Sequence, residues 1–241
     1  MQETTGVSDT LEGVEQAMNQ VVQDHFFGGR FLRTLHAGEY SMAQIRYFAV
    51  QYSYYSRHFP RVLGAAISAM APIASWWAPL ADNLWDEAGR GQAGESHEAL
   101  YRTFLLSADP EITLGDDGFP QTPISPAIAQ AVNFFIGFFR TASPLTAMAA
   151  VGLGSEWFAG DVMGAIGAGM KHPAYNRERT LDTRFWELHA NEHEPRHYQL
   201  CRDILSSYGS REELAIMYET GRRIALSEAA MYEQLHAEMT R

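Results

Sequence analysis

The stretch FWELHANEHEPRH concentrates side chains that bind metal ions. His189, His193 and His197 lie four residues apart within it, and glutamates stand between them. Each residue of an ideal α-helix advances by about 100°, so the three histidines span about 80° and share one face. Imidazole together with carboxylate suits iron, manganese or zinc. The His-Glu-x-x-His pattern of zinc proteases is not present here.

Pro195 interrupts this helical pattern and opens a second interpretation. Proline cannot donate a backbone hydrogen bond to the carbonyl of Asn191, and its ring clashes there. A single-turn π-bulge relieves the clash and adds one residue to the turn. Glu194 would then face the same side as His189 and His197. Two ligand sets therefore stay open: His189, Glu194 and His197, or the three histidines.

Metal sites in helical bundles also need carboxylates from facing helices. Glu156 is a lone carboxylate among apolar and small residues in AMAAVGLGSEWFAG. Its unpaired burial would cost several kcal/mol, which a metal ion would offset. Glu87 ends the apolar segment LADNLWDEAG, and His97 begins the next helix after a run of glycines. Asp86 is the main alternative to Glu87.

Helices must position these residues, because helical patterns cover almost the whole sequence. Apolar residues recur at three- and four-residue steps, and strand-like alternation is weak. Ser41 and Gln44 predict a capping box, Ser8-Asp9 predicts a cap for the first helix, and Pro60 predicts a kink or division. We predict an all-α fold: one domain over residues 1–241 with about seven helices and a disordered tail at 1–10.

Composition narrows the class of protein. The 241 residues are 46% hydrophobic, the formal net charge is −11, and there is one cysteine. An acidic chain argues against binding to nucleic acid or to anionic membranes. A single cysteine excludes an intramolecular disulfide, and no apolar run reaches the roughly 18 residues of a membrane span. We therefore expect a cytoplasmic globular protein that acts without nucleic acid or membrane.

Four segments, in order, resemble one family over about residues 25–205. The segment HFFGGRFLRTLHAGEYSMAQIRYFAVQYSYYSRHFPRVLGAA looks like the opening helices of the thiaminase-II and pyrroloquinoline-quinone-synthase superfamily. NLWDEAGRGQAGESHEALYRTFL resembles the Asn-Leu-x-x-Glu-x-Gly and His-x-x-Leu signature of heme-oxygenase-like diiron oxidases. VGLGSEWF is similar to the Gly-Leu-x-x-Glu segment of that family. FWELHANEHEPRHYQL resembles its final Phe-Phe-x-x-His-x-x-x-Asp-x-x-His signature.

The resemblance implies a heme-oxygenase-like helical bundle and a set of iron ligands. Carried over by position, the set is Glu87, His97, Glu156, His189, Glu194 and His197, with His193 as the alternative to Glu194. The last signature departs from the family, because His193 stands at its aspartate position and Arg196 at its final histidine. A one-residue insertion before Glu194 restores the carboxylate-x-x-His spacing with His197.

The family's activity is the function that this resemblance implies. It predicts two Fe(II) ions per chain that activate O2 to oxidise a small metabolite in natural-product biosynthesis. The substrate would be amino-acid-like or carboxylate-bearing, and the reaction N-oxygenation or oxidative C–C cleavage. An electron donor and a homodimer are further expectations. The alternatives are a metal-free cofactor-biosynthesis oxidase, a thiaminase-like hydrolase and a non-catalytic helical binding protein.

Overall fold

The chain folds into α-helices that surround one hydrophobic core. A computed structural model describes residues 9–92, 94–190 and 194–241, without the side chains of residues 194 and 195. The helices are α1 Leu11–Val22, α2 Arg30–His36, α3 Met42–Ala69, α4 Ala74–Glu87, α5 His97–Ala108, α6 Pro126–Phe138, α7 Pro144–Val151, α8 Trp157–Met170, α9 Arg184–Leu188, α10 Glu194–Leu205 and α11 Arg211–Met239. The described residues contain no strand beyond one isolated bridge.

The all-helical class is confirmed, but the helices are more numerous than about seven. Irregular turns divide segments that the apolar pattern joined. The predicted helix from Pro144 to Met170 is split by a π-helical turn at Gly152–Glu156. A second π-helical turn, Gln23–Phe27, follows α1.

Two predicted helix starts have different outcomes. Ser41 and Gln44 form the expected capping box at the start of α3. The cap of α1 is Thr10, whose hydroxyl accepts from the backbone N–H of Gly13, rather than the predicted Ser8-Asp9. A hydroxyl directly before the first helical residue satisfies one of the N–H groups that the helix itself leaves unbonded.

Pro60 lies inside α3 without dividing it. The helix continues over 28 residues, so the predicted division is wrong. Proline in a helix interior costs about 3 kcal/mol through a lost hydrogen bond and a clash. Packing against α4, α5, α6 and α7 stabilises α3 enough to offset that cost, and Phe48 and Leu63 of α3 are fully buried.

A cluster of aromatic rings anchors the short helix α9 in the core. Trp186 is fully buried, and its ring centroid lies 5.1 Å from that of Tyr52 and 5.4 Å from that of Phe104. Phe185 packs against Tyr101 at 4.9 Å. These contacts fix the direction of α9 and therefore of the histidine that follows it. Among the described residues, no helix combines the length and apolarity needed to cross a membrane.

Candidate metal centre

Glu87, His97 and His189 form a buried cluster of possible ligands. Glu87 Oε2 lies 2.7 Å from His97 Nδ1, and His97 Nδ1 lies 2.9 Å from His189 Nε2. One ligand atom from each side chain lies within 4.8 Å of the others. We call these three residues the first group.

A tight turn brings Glu87 and His97 together. Glu87 is the last residue of α4, and Gly89 follows at φ +71°. A Cβ on Gly89 would lie 2.5 Å from the backbone nitrogen of Ser96, so only glycine permits this return of the chain. The Ser96 hydroxyl caps α5, and His97 is the first residue of that helix. The turn thus brings the histidine back beside the glutamate.

The backbone of α9 orients His189. The Nδ1 atom of His189 lies 2.6 Å from the carbonyl oxygen of Phe185, one turn earlier. A carbonyl accepts hydrogen bonds only, so Nδ1 carries the proton and donates it. The lone pair then lies on Nε2, which faces His97 and Glu87. Metal-binding histidines are held in this way by a partner on the other ring nitrogen.

The first group fits a transition-metal ion. Two ligand atoms, each about 2.1 Å from one ion, lie about 3 Å apart in octahedral geometry. The 2.7 Å and 2.9 Å separations are slightly shorter, so an ion requires the side chains to separate by a few tenths of an ångström. One carboxylate and two imidazoles form the donor set of non-heme Fe(II) sites.

Glu156 and His197 belong to a second buried group, together with Asn83 and Asp86. Glu156 Oε2 lies 3.6 Å from His197 Nδ1, and its other oxygen accepts a 2.7 Å hydrogen bond from the Asn83 amide. The other ring nitrogen of His197, Nε2, lies 3.2 Å from Asp86 Oδ2. Glu156 Oε2 and His197 Nδ1 lie farther apart than the roughly 3 Å of two octahedral ligands, so an ion bound by both requires the side chains to approach by about half an ångström.

Glycine residues place Glu156 at this position. It is the last residue of the π-helical turn Gly152–Glu156, and such turns occur often at functional sites. A Cβ on Gly152 would lie 2.8 Å from Cys201 Cβ, and one on Gly154 would lie 2.7 Å from Ile224 Cβ. The glycines therefore let this turn approach α10 and α11 closely. The sequence predicted a π-bulge near Pro195 and missed this one.

Two arginines bind the Asp86 carboxylate: Arg90 through Oδ1, and Arg196 through Oδ2, the oxygen that also faces His197. Arg90 and Arg196 both donate hydrogen bonds to it, and Arg196 also pairs with Asp82. Burial acts to raise the pKa of Asp86, but the hydrogen bonds from Arg90 and His197 and the charge of Arg196 outweigh it and lower the pKa. Asp86 is thus a stable anion that faces His197. It was expected to be an alternative to Glu87, whereas both residues lie in the centre.

The described residues include most of the predicted ligands, which lie in two groups. They do not decide which residue of the last signature is the middle ligand. Glu87, His97 and His189 meet in one group, and Glu156 and His197 meet in the other. His193 lies outside the described residues, and the side chain of Glu194 is not described. Consequently, the choice between Glu194 and His193 stays a prediction. His197, rather than Arg196, faces Glu156.

A cavity adjoins the first group. Its walls combine aromatic, aliphatic and a few polar side chains, from Tyr52, Tyr55, Ser56, Phe59, Glu87, Ser155, Ala159, Val162, Met163, Phe185, His189 and Glu228. Sequence reasoning missed Glu228, although it stands alone among apolar residues in IALSEAAM, as Glu156 does in its own segment. The same criterion would have found it.

Two other features lie away from this cavity. Cys201 is fully buried against Gly152, and burial raises its thiol pKa well above the ordinary value, which makes it a poor nucleophile. Phe135 and Phe139 are buried in the core, with their ring centroids 5.6 Å apart in a stacked arrangement.

Comparison with known families decides the broad class. The profile of the family described as iron-containing redox enzyme matches residues 46–228, more than half of the chain. The chain belongs to the iron-containing redox enzyme family. This membership confirms the predicted resemblance. The carboxylate and two imidazoles of the first group are a donor set that fits iron. No curated protein matches the chain in sequence.

Solved structures share the fold of this family member at low sequence identity. A CADD-like protein of unknown function from Nostoc punctiforme has a TM-score of 0.76 at 16% identity, over 95% of this chain and 98% of that one. A domain with a heme oxygenase-like fold from Shewanella denitrificans has a TM-score of 0.68 at 12% identity, over 95% and 91%. A TenA homologue from Pseudomonas syringae has a TM-score of 0.68 at 12% identity, over 94% and 92%. They establish a heme oxygenase-like fold.

Proposed function

We propose that this protein is a non-heme iron oxidase or oxygenase that uses O2 to oxidise a small metabolite. The observation that carries the proposal is the first group, a buried carboxylate and two imidazoles directly beside a cavity. Ferrous iron bound there would supply the redox chemistry by binding and reducing dioxygen. Family membership supports iron, and the buried position supports chemistry that must exclude bulk water.

The chain's own residues have separate tasks in this proposal. Glu87, His97 and His189 hold the ion, and the Phe185 carbonyl keeps Nε2 of His189 available as a ligand. Phe185 also forms part of the cavity wall, so it contributes to both the metal site and the substrate site. The aromatic and aliphatic walls keep water away and hold an apolar substrate body close to the ion.

A second ion belongs to the same proposal. Glu156 and His197 would hold it, with a third ligand from Glu194 or His193. Asp86 fixes His197 through Nε2, so Nδ1 is the nitrogen directed at Glu156. Because the final sequence signature, which would supply the third ligand, departs from the family pattern, we expect the second ion to bind more weakly. N-oxygenation and C–C cleavage are both open to such a centre, with an electron donor where the reaction needs one.

Anaerobic titration with ferrous iron tests the proposal. We expect one ion with sub-micromolar affinity and a second at higher concentration, followed by O2 consumption when air is admitted with substrate. Elemental analysis and Mössbauer spectroscopy measure occupancy independently of activity. If no iron binds above micromolar affinity to the folded protein, the oxidase proposal is wrong.

A further inference from the structure

Glu228 is a carboxylate in the cavity wall that the proposed metal chemistry does not use. It lies in the middle of α11, whereas the ligands come from other helices and the π-helical turn. Its hydrogen-bond partners among the described residues are tyrosine hydroxyls: Tyr232 donates to Glu228 Oε1 at 3.5 Å, and Tyr55 interacts with the same carboxyl group. Glu228 is partly buried, and a carboxylate removed from water normally has a cationic partner.

The described cavity wall carries carboxylates without a lysine or arginine to balance them. Among the described residues that line it, the ionisable groups besides two tyrosines are Glu87, His189 and Glu228, and neither lysine nor arginine contributes. Burial raises the pKa of Glu228 to about 7, and the negative charge of nearby Glu156 adds to this effect. A cation placed in the cavity would stabilise the carboxylate form. An anionic group would have no positively charged protein side chain to pair with.

The walls beside Glu228 also suit a cation. The rings of Tyr52 and Tyr55 are tilted at 46° to each other with centroids 5.5 Å apart, and both line the cavity together with Phe59. Aromatic faces attract ammonium groups, and they attract them more strongly where water is excluded. Aliphatic residues such as Val162 and Met163 would contact an apolar body. The cavity therefore pairs one anionic site with apolar walls.

We propose that Glu228 is a substrate-recognition residue that binds the protonated amino group of a small molecule with an apolar body. The carboxylate forms a charge-assisted hydrogen bond with the ammonium group, and the aromatic rings surround it. A carboxylate on the same molecule would have to lie at the cavity mouth or on the metal, because the described protein walls offer it no partner. Assignment of the cavity as a substrate site rests on the proposed oxidase function.

Ligand binding to iron-free protein tests Glu228 apart from the metal. The probes are hexylamine, 1-hexanol and hexanoate, which share an alkyl chain and differ in charge. At about pH 8.5 an alkylamine is still protonated, since ammonium groups of this kind have a pKa near 10.4. We expect hexylamine to bind at least about tenfold more tightly than hexanol, and hexanoate to bind most weakly. Calorimetry or ligand-observed NMR measures these affinities.

Glu228→Gln retains shape and removes the charge, so it should abolish the preference for the amine. Glu219→Gln is the matched control, because Glu219 is exposed on the same helix, and it should bind like wild type. Glu228→Asp keeps the charge and should retain part of the preference. If wild type binds hexanol or hexanoate as well as hexylamine, the proposal is wrong, and this result does not depend on any variant folding.

The two proposals fail in different measurements. Amine preference in a protein that binds no iron would leave Glu228 as a ligand site and refute the oxidase. Iron binding with no amine preference would keep the oxidase and refute the role of Glu228. A Glu228→Gln variant that is folded by circular dichroism and keeps the preference would also refute it.

Discussion

The two buried groups of the metal centre are built differently. In the first group, Glu87, His97 and His189 contact one another directly, and a backbone carbonyl orients the last of them. In the second group, Glu156 and His197 are 3.6 Å apart and depend on side-chain partners for their orientation. A backbone carbonyl therefore orients a ligand of the first group, whereas an amide and a carboxylate side chain orient the ligands of the second.

The groups also face different surroundings. Glu87 and His189 line the cavity that contains Glu228. Glu156 borders a separate opening together with Trp157 and Asp161. Thus the first ion position is adjacent to the proposed substrate cavity, whereas Glu156 borders a different opening. This difference predicts that a substitution in the first group abolishes O2 consumption. A substitution in the second group should first lower the number of iron ions bound per chain.

The largest expected effect comes from His189→Ala. It removes a ligand of the first group, so we expect iron affinity at the tighter site to fall at least about 100-fold and O2 consumption to cease. Anaerobic ferrous titration measures the affinity. His25→Ala is the control, since His25 is exposed. Wild-type iron affinity in folded His189→Ala would show that the first group is not the metal site.

Glu194→Ala and His193→Ala test which of the two residues is the third ligand of the second group. If Glu194 is the third ligand, as the one-residue insertion implies, Glu194→Ala should reduce the stoichiometry from two ions towards one. His193→Ala should then keep both ions. Elemental analysis after gel filtration decides between the residues. The reverse result would establish the three-histidine set, and two ions in both variants would exclude both residues as ligands.

Asp86→Asn tests whether His197 needs its carboxylate partner. We expect the second ion to bind about 10- to 100-fold more weakly, because partners of metal-binding histidines have effects of that size. The first ion should bind as in wild type. Asp82→Asn is the matched control, since Asp82 pairs with Arg196 without contacting His197. Equal losses in both variants would assign the effect to the arginine rather than to His197.

The smallest effect concerns the pH dependence of iron-free protein. The pKa of Glu228 is raised from 4.5 to about 7 by burial, so the folded state holds a proton that the unfolded state loses. The free energy of unfolding should therefore fall as pH rises from about 4.5 to above 7, by about 1–2 kcal/mol because the Glu228 side chain is partly exposed. Urea unfolding across this range measures it. Glu228→Gln should remove this part of the slope, and an unchanged slope would contradict the assignment.

Sequence patterns predicted the helical class and the chemical types of the ligands. Apolar residues at three- and four-residue steps favour helices whatever their later packing. The lone carboxylate Glu156 and the histidines around His189 were recognisable because their types are uncommon in those settings. The capping box at Ser41 was also local, since it needs only residues three apart. Each of these predictions depended on short-range spacing.

Tertiary structure decided how these residues combine. The Asp86 carboxylate lies beside His197, more than a hundred positions later in the chain, through the packing of α4 against α10. Glu228 reaches the cavity because α11 packs against the π-helical turn, which Gly154 allows to come close. Residue spacing specifies which face of a helix a side chain occupies, but not which helix that face meets. The distances, the histidine tautomer and the charge of the cavity therefore arise only when the helices pack.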